Sequence, residues 1–292
     1  MKLVRFEYQG AVNIGVLTDE TTIVSLAPLG VEHGFGVSMS AFLALGANGL
    51  TAAKQFIAEA PESAKVALDQ VKLLAPVGDP SKIMCIGQNY RDHCEEQNQP
   101  IPQRAILFAK YSNTINHPGG VIKLPKASNV IDYEAELAVV IGGPGGAATE
   151  VSEEEAMNHV AGYLCANDVT ARDIQKGDGQ WVRGKSPDTF MPMGPYLLTA
   201  DQVADPHTLD ISLTLNGETR QKSNTSNLIF KIPFLISYLS QTMTLNPGDI
   251  LSTGTPGGVG VYSNPQVLLK PGDTVSVTVE GLGTLTNTCE QK

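Results

Sequence analysis

The pattern of apolar and polar positions predicts a chain built mainly from short strands. Apolar residues alternate with polar ones, or run together over about four to eight positions, between turns rich in Gly, Pro and Asn. The Asn216-Gly217 pair is typical of a hairpin turn, because both residue types tolerate a positive φ. The predicted strands are Leu3–Tyr8, Val12–Leu17, Thr22–Leu26, Ile83–Ile86, Ala105–Lys110, Leu137–Ile141, Gly162–Asn167, Leu209–Leu215 and Thr219–Lys222.

Helices are fewer, and a Pro-rich segment divides the chain. The predicted helices are Ser40–Leu45, Ala52–Leu68 (interrupted by Pro61), Arg91–Gln97, a segment that opens with a capping box at Ser152 and Glu155, and one within Asn227–Gln241. The segment 74–80 contains two prolines and a glycine, which predicts a linker. We therefore expect a small N-terminal α+β domain, residues 1–75, and a larger, mostly β domain, residues 76–292.

Composition narrows the classes of partner. The 292 residues carry a net charge of −10 without a basic cluster, which argues against a nucleic-acid partner. No apolar run is long enough to span a bilayer, and the first residues alternate like a strand rather than a signal or transit peptide. The four cysteines are scattered without a C-x-x-C pair, which is typical of reduced thiols. A cytoplasmic protein without a membrane partner is expected.

Two glutamates stand at the entry of the most apolar strand. Glu134 and Glu136 precede the run Leu137–Ile141, and residues two apart on a strand face the same side. Two like charges on one buried face need a positive partner. A divalent metal ion or a pair of Lys or Arg side chains would serve. Asp132 has the same parity, so spacing does not tell which two of the three carboxylates matter.

A third carboxylate, Asp168, follows the predicted strand Gly162–Asn167. Together with Glu134 and Glu136 it forms a donor set of oxygens only, which favours Mg²⁺, Mn²⁺ or Ca²⁺ over Zn²⁺. The alternative is that Asp168 caps a turn within Asn167–Thr170. The sequence therefore supports a hard-cation site as a hypothesis.

Three further segments carry candidate chemistry. His93 and Glu96 are spaced i, i+3, so a helix would place them on one face, where the carboxylate would orient the imidazole as a general base. A solvated helix face is the simpler alternative. Lys185, between a glycine and a serine, would contact an anionic substrate or lie on the surface. The Gly-rich segment 253–260 could cradle an anion, but it lacks the G-K-[ST] ending of a P-loop.

Taken together, these segments are more specific than any one of them, and their order along residues 70–290 resembles the fumarylacetoacetate hydrolase superfamily. The segments that carry the resemblance are Asn89-Tyr90-x-Asp92-His93-x-x-Glu96, Glu134-Ala135-Glu136-Leu137, Asn167-Asp168-Val169-Thr170-Ala171-Arg172-Asp173, Gly184-Lys185-Ser186 and Thr253-Gly254-Thr255-Pro256-x-Gly258-Val259-Gly260. The resemblance implies a mostly β fold with helices (α+β), a mixed β-sandwich roll with a small N-terminal domain, and a homodimer.

The resemblance also implies a site. Its metal ligands would be Glu134, Glu136 and Asp168, holding Mg²⁺ or Mn²⁺. Its catalytic residues would be His93, Glu96 and Lys185, with the first two on a lid that orders with substrate. Its substrate contacts would come from Tyr90, Arg172, Gln175 and Thr255.

The implied reaction starts from an anionic 2-oxo acid. We expect a metal-dependent hydrolase or lyase that cleaves a C–C bond in a β-diketo or oxaloacetate-like acid through a metal-stabilised enolate. The same enolate would serve an isomerase or tautomerase, which is the alternative. In fumarylacetoacetase the acidic partner of the histidine is a late glutamate, near the position of Thr255, whereas here Glu96 is available. This favours the acylpyruvase and oxaloacetate branch. A catalytically silent metal-binding β protein is the non-enzymatic alternative, and the presence of both lid residues argues against it.

Overall fold

Strands dominate the structure. A computed structural model describes all residues from 1 to 292. Its strands are β1 (Lys2–Tyr8), β2 (Ala11–Leu17), β3 (Thr22–Ser25), β4 (Lys65–Ala67), β5 (Lys72–Leu74), β6 (Ile83–Gly87), β7 (Ile106–Lys110), β8 (Ile115–Asn116), β9 (Val121–Leu124), β10 (Ile131–Asp132), β11 (Ala135–Ile141), β12 (Val160–Asn167), β13 (Thr170–Ala171), β14 (Met191–Thr199), β15 (Asp210–Leu215), β16 (Glu218–Asn224), β17 (Ile250–Ser252), β18 (Thr274–Val279) and β19 (Gly283–Gln291). Its α-helices are α1 (Ala27–Glu32), α2 (Met39–Leu43), α3 (Gly46–Ala58), α4 (Arg91–Glu96), α5 (Glu153–Ala156), α6 (Arg172–Gly177), α7 (Val182–Lys185) and α8 (Ile232–Ser240).

Twelve strands form one large mixed sheet. Its main order is β4-β3-β2-β1-β14-β12-β11-β17-β6-β7, and β5 and β8 pair with β1 and β14. Antiparallel pairing of β1 with β14 makes the N-terminal strands an extension of this sheet. The division between residues 75 and 76 stays a prediction, because the sheet runs on across it.

A second sheet of five strands has the order β16-β15-β18-β19-β9. The β15–β16 hairpin turns at Asn216 and Gly217, whose φ angles are 53° and 82°. These positive values are the reason for the Asn-Gly pair. The fold is therefore mixed α+β and mostly strands, as predicted, and it contains no closed barrel. None of the helices has the length and apolar character required to cross a bilayer.

Strand β11 is buried on both faces, which explains its unbroken apolar sequence. Leu137, Val139 and Ile141 belong to a core of 43 buried residues that includes side chains of the five-stranded sheet and of α8. Ala138 and Val140 belong to a second core of 23 residues, which includes side chains of the N-terminal helices. Because side chains alternate along a strand, Glu136 points to the same face of β11 as Ala138 and Val140.

Several elements differ from the sequence prediction, among them β14 and the segments around Glu134 and Pro61. The strand expected around Glu134 is interrupted at Tyr133–Glu134, so β10 and β11 are separate. The second helix ends at Ala58 instead of Leu68, because Pro61 follows and strand β4 takes over. Strand β14 was not predicted, since Pro192 and Pro195 interrupt its pattern, and its pairing with β12 is irregular near Pro195.

Candidate active site

Three carboxylates meet where β11 begins and β12 ends. The pairing of Ala135 with Asn167 sets the two strands in register, and the Asp168 amide nitrogen donates to the Glu134 carbonyl oxygen at 2.9 Å. One carboxylate oxygen from each of Glu134, Glu136 and Asp168 lies within 4.8 Å of the other two. All three side chains are buried. The arrangement therefore presents three oxygen donors to one point.

Asp132, which strand parity alone did not separate from the glutamates, has a different environment. Its carboxylate accepts hydrogen bonds from the amide nitrogens of Gly260, at 2.8 Å, and Val261, at 3.2 Å. It also pairs with the Arg172 guanidinium at 2.9 Å. Asp132 thus connects the Gly-rich segment 253–260 to α6, and its oxygens are taken by these partners.

Cationic side chains lie beside two of the three clustered carboxylates. The Lys185 Nζ is 2.7 Å from Glu134 Oε2 and 2.7 Å from Asp168 Oδ2. Arg172 is 2.7 Å from Glu134 Oε1. Lys110, on β7, is fully buried, with its Nζ 2.5 Å from Asp168 Oδ1. The sequence left two kinds of positive partner open for the glutamates: a divalent metal ion, or Lys and Arg side chains. Glu134 has partners of the second kind, Lys185 and Arg172.

Glu136 has no cationic partner. Its Oε2 accepts hydrogen bonds from the Ser252 hydroxyl and from the Gly254 amide nitrogen at 3.0 Å, while Oε1 accepts none from the protein. Burial, with the negative charges of Asp168 and Glu134, raises the pKa of Glu136 well above its ordinary value. Burial also raises the pKa of Glu134, but Lys185 and Arg172 outweigh it and lower that pKa to about 2.

The charges fit a divalent cation. Four buried carboxylates (Asp132, Glu134, Glu136 and Asp168) face three buried cations (Lys110, Arg172 and Lys185), which leaves one negative charge uncompensated. That charge falls on Glu136, whose free oxygen belongs to the triad. Oxygen donors of this kind suit a hard cation such as Mg²⁺ or Mn²⁺.

His93 and Glu96 contact each other on α4. The His93 Nδ1 is 3.2 Å from Glu96 Oε2, and the Gly258 amide nitrogen donates to Glu96 Oε1 at 2.9 Å. The side-chain amide nitrogen of Gln97 is 2.6 Å from His93 Nε2. Two nitrogens share a hydrogen bond only if one accepts, so Nε2 is the acceptor and Nδ1 carries the proton toward Glu96. His93 is buried, and thus does not lie on a solvated helix face.

A cavity of about 120 Å³ opens onto these groups. Its lining residues are Ile86, Gly87, Gln88, His93, Gln97, Phe108, Glu134, Glu136, Arg172, Gln175, Lys176, Trp181, Lys185, Thr255 and Tyr262. Glu96 and Asp168 do not line it, but each contacts a residue that does. Tyr90 is fully buried outside the lining, and its hydroxyl has no hydrogen-bond partner.

Sequence reasoning missed several residues here. Gln221 binds the Ala135 amide nitrogen at 2.8 Å and the Thr255 hydroxyl at 2.9 Å, and so fixes one cavity residue against β11. Nothing in the sequence around Gln221 marks it. Lys176 is different, since Arg172, Gln175 and Lys176 are spaced i, i+3, i+4, which predicts one shared helix face.

Comparison with known families decides the relationship. The family described as fumarylacetoacetate (FAA) hydrolase, C-terminal, matches residues 82–290. The chain belongs to the fumarylacetoacetate hydrolase family. This confirms the resemblance inferred from the ordered segments, and it makes the chain a member of an enzyme family that generally uses a divalent metal ion.

Similar proteins include enzymes with more than one reaction type. Oxaloacetate tautomerase fahd2, mitochondrial, from Xenopus laevis is 42% identical over 98% of this chain and 89% of its own length. A 2-hydroxyhepta-2,4-diene-1,7-dioate isomerase from Mycobacterium marinum covers 100% of this chain and 99% of its own, with 34% identity and a TM-score of 0.78. A maleylpyruvate hydrolase from Sphingobium sp. SYK-6 covers 100% of both chains, with 31% identity and a TM-score of 0.82. These relatives confirm an enzyme and a mixed α+β fold of this family.

The Lys110–Asp168 pair supports a prediction on stability. Lys110→Met leaves Asp168 Oδ1 without its buried cation, so the free energy of unfolding in EDTA should fall by about 3 kcal/mol. Excess Mg²⁺ should reduce this loss, because a divalent cation compensates the same carboxylate. Urea unfolding measures both values. Lys54→Met is the control, since its pair with Asp201 is exposed and should contribute less than about 1 kcal/mol. A fall in the free energy of unfolding of less than about 1 kcal/mol in Lys110→Met would contradict the role of Lys110 as the buried partner of Asp168.

Proposed function

We propose that this enzyme acts on a small anionic 2-oxo acid through an enolate, with Glu134, Glu136 and Asp168 as ligands of Mg²⁺ or Mn²⁺. The observation that carries the proposal is the juxtaposition of the triad, two of whose members line the cavity, with His93, whose Nε2 accepts a hydrogen bond in the same cavity. When bound, the cation supplies Lewis-acid polarisation of the keto and carboxylate oxygens of the acid.

The protein's own residues bind and orient the substrate. Arg172 and Lys185 offset the charges of Glu134 and Asp168, so a bound divalent cation would leave the site with one net positive charge, which suits the carboxylate of a 2-oxo acid. Thr255 is oriented by Gln221, which donates to its hydroxyl oxygen and leaves the hydroxyl hydrogen for an acceptor in the cavity. The Gln175 amide nitrogen donates to no protein acceptor and is available in the same way.

His93 is the residue that moves a proton. With Nδ1–H directed at Glu96, its Nε2 takes a proton from C3 of the acid once Gln97 gives way, which leaves the electron pair shared between C3 and the 2-oxo oxygen. Return of the proton to that oxygen completes keto–enol tautomerisation. We favour this outcome with oxaloacetate, because the oxaloacetate tautomerase from Xenopus laevis is similar over 98% of this chain.

Hydrolytic C–C cleavage is the second candidate, and the His93–Glu96 pair favours it. The same Nε2 would take a proton from water, and the hydroxide formed would attack the distal carbonyl of an acylpyruvate. The bond between that carbonyl carbon and C3 would then break, which releases a carboxylic acid and leaves the electron pair on the enolate of pyruvate, and C3 would take the proton back from Nε2. A maleylpyruvate hydrolase is among the similar structures. Decarboxylation of oxaloacetate forms the same enolate but needs no base.

An absorbance assay tests these proposals. Purified protein with Mg²⁺ or Mn²⁺ is mixed with enol oxaloacetate, keto oxaloacetate, fumarylpyruvate and a series of acylpyruvates, and the enol and keto forms are followed separately. Faster interconversion of enol and keto oxaloacetate supports the tautomerase. Loss of diketo absorbance with release of pyruvate supports the hydrolase. Absence of both activities, with metal bound, would overturn the proposed function.

We also propose a homodimer. Strand β7 lies at the edge of the large sheet, and Leu107 within it and Tyr111 directly after it expose 39% and 62% of their surface. Covering such an edge with a second copy would protect it. Light scattering at micromolar concentration should give about 62 kDa, twice the chain mass of 31.0 kDa. A value of one chain mass would refute the dimer.

A cytoplasmic location stays a prediction, supported by four cysteines that form no disulfide.

A further inference from the structure

Helix α6 presents three polar residues to the cavity. Arg172, Gln175 and Lys176 all line it, as their i, i+3, i+4 spacing requires. Arg172 is held by Asp132 and Glu134. Lys176 is exposed and pairs with no carboxylate, and its Nζ lies 5.5 Å from the centre of the Tyr262 ring. Lys176 is therefore the cavity's one lysine or arginine without an acidic partner.

Contacts along the cavity connect Lys176 to His93 through Tyr262 and Gln97. Tyr262 carries Lys176 over its ring, and its hydroxyl donates to Gln97 Oε1 at 3.3 Å. Gln97 in turn contacts His93 Nε2. A chain of contacts thus runs from the Lys176 ammonium group to His93, the proposed base. In oxaloacetate the second carboxylate is bonded directly to C3, so a group that binds this carboxylate must lie near the base that acts on C3.

We propose that Lys176 binds the distal carboxylate of a dianionic 2-oxo acid and so determines specificity for dicarboxylates over monocarboxylates. This rests on the proposed function. The charge of the site supports it: Arg172 and Lys185 are already committed to carboxylates of the protein, so a second substrate carboxylate needs another cation. Only four of the fifteen lining residues are hydrophobic, which gives an apolar substrate tail little to contact.

Calorimetry with L-malate and L-lactate tests the assignment directly. These 2-hydroxy acids differ by the distal carboxylate, and neither has a keto group on which the enzyme could act. With saturating Mg²⁺, the wild-type protein should bind malate about tenfold more tightly than lactate. Lys176→Met should bring this ratio close to one, and Lys176→Arg should retain most of it. Lys126→Met is the control, because Lys126 is exposed, makes no ion pair and does not line the cavity.

Kinetics give the second measurement. In Lys176→Met, KM for oxaloacetate should rise about tenfold while kcat stays within about twofold, because C3 and His93 are left in place. Equal binding of malate and lactate by the wild-type protein would overturn the role of Lys176 and leave the proposed function intact. Binding of neither acid would contradict the 2-oxo acid site itself, and the inference with it. An unchanged ratio in Lys176→Met would make Lys176 a surface lysine.

Discussion

Glu136→Gln is expected to weaken Mg²⁺ or Mn²⁺ binding by more than about 100-fold. Mutation of a residue that contacts a metal ligand, without binding the metal itself, typically weakens binding by about 10–100-fold. Glu136 Oε2 accepts hydrogen bonds from Ser252 and Gly254, so the amide oxygen of a glutamine must take that position. The amide NH₂ group would then face the triad, where it offers hydrogens instead of a lone pair. The variant should also lose activity, and EDTA should abolish activity in the wild-type protein until metal is restored.

Titration calorimetry with Mn²⁺ measures the affinity, and urea unfolding in EDTA checks the fold. The metal-free variant should be at least as stable as the wild-type protein, because the substitution removes a buried charge repelled by Asp168 and Glu134. Asp132→Asn is the matched control: it makes the same chemical change at the same strand parity, but its oxygens bind Gly260, Val261 and Arg172. Its metal affinity should stay within about tenfold of wild type. Full activity of the wild-type enzyme in EDTA would contradict the metal requirement.

Local patterns in the sequence predicted much of this fold. The apolar run of β11, the Asn216-Gly217 hairpin and the helix start at Ser152 depend on neighbouring residues, and all three are present in the structure. The capping box introduces only the four-residue helix α5, so the motif gave the start of the helix but not its length. Segment ends are set by tertiary packing, which local propensity does not contain.

Distant contacts could not be predicted in this way. Lys110 and Asp168 are 58 residues apart, and Gln221 contacts the amide of a residue 86 positions away. The joining of β1 to β14 depends on edges that become neighbours only after folding. The separation of Asp132 from the triad follows from the amides of Gly260 and Val261, more than 120 positions on. Parity placed the three acidic residues on one face but could not identify their partners.

The order of motifs supplied what spacing could not. Asp168 and Lys185 each had an ordinary alternative, a turn cap or a surface lysine, and only their occurrence together suggested one site. The structure brings Lys185 Nζ within 2.7 Å of both Glu134 and Asp168. A site of this kind is a set of long-range contacts, and the family resemblance carries that information.

His93→Ala and Glu96→Gln are expected to lower the rates of tautomerisation and hydrolysis by about 10²–10⁴, the usual effect of removing a positioned general base. Glu96 holds Nδ1–H of His93 and is itself held by Gly258, so the two residues act as a unit. The double variant should therefore be no slower than His93→Ala alone. Glu95→Gln is the control, because this exposed neighbour on α4 loses the same charge without contacting His93.

The rate of oxaloacetate decarboxylation distinguishes a variant that has lost only its general base from one that has lost substrate or metal binding. Departure of CO₂ leaves its electron pair on C3 without a proton being taken, so this reaction should fall by less than about tenfold in both single variants. Metal binding should also persist, since Glu134, Glu136 and Asp168 lie on other segments. The measurement is kcat for all three reactions at saturating Mg²⁺, with metal content checked in each variant. Equal loss of all three would mean that α4 positions the substrate. Unchanged tautomerisation and hydrolysis in His93→Ala would remove His93 from the mechanism and leave Lys185 as the next candidate.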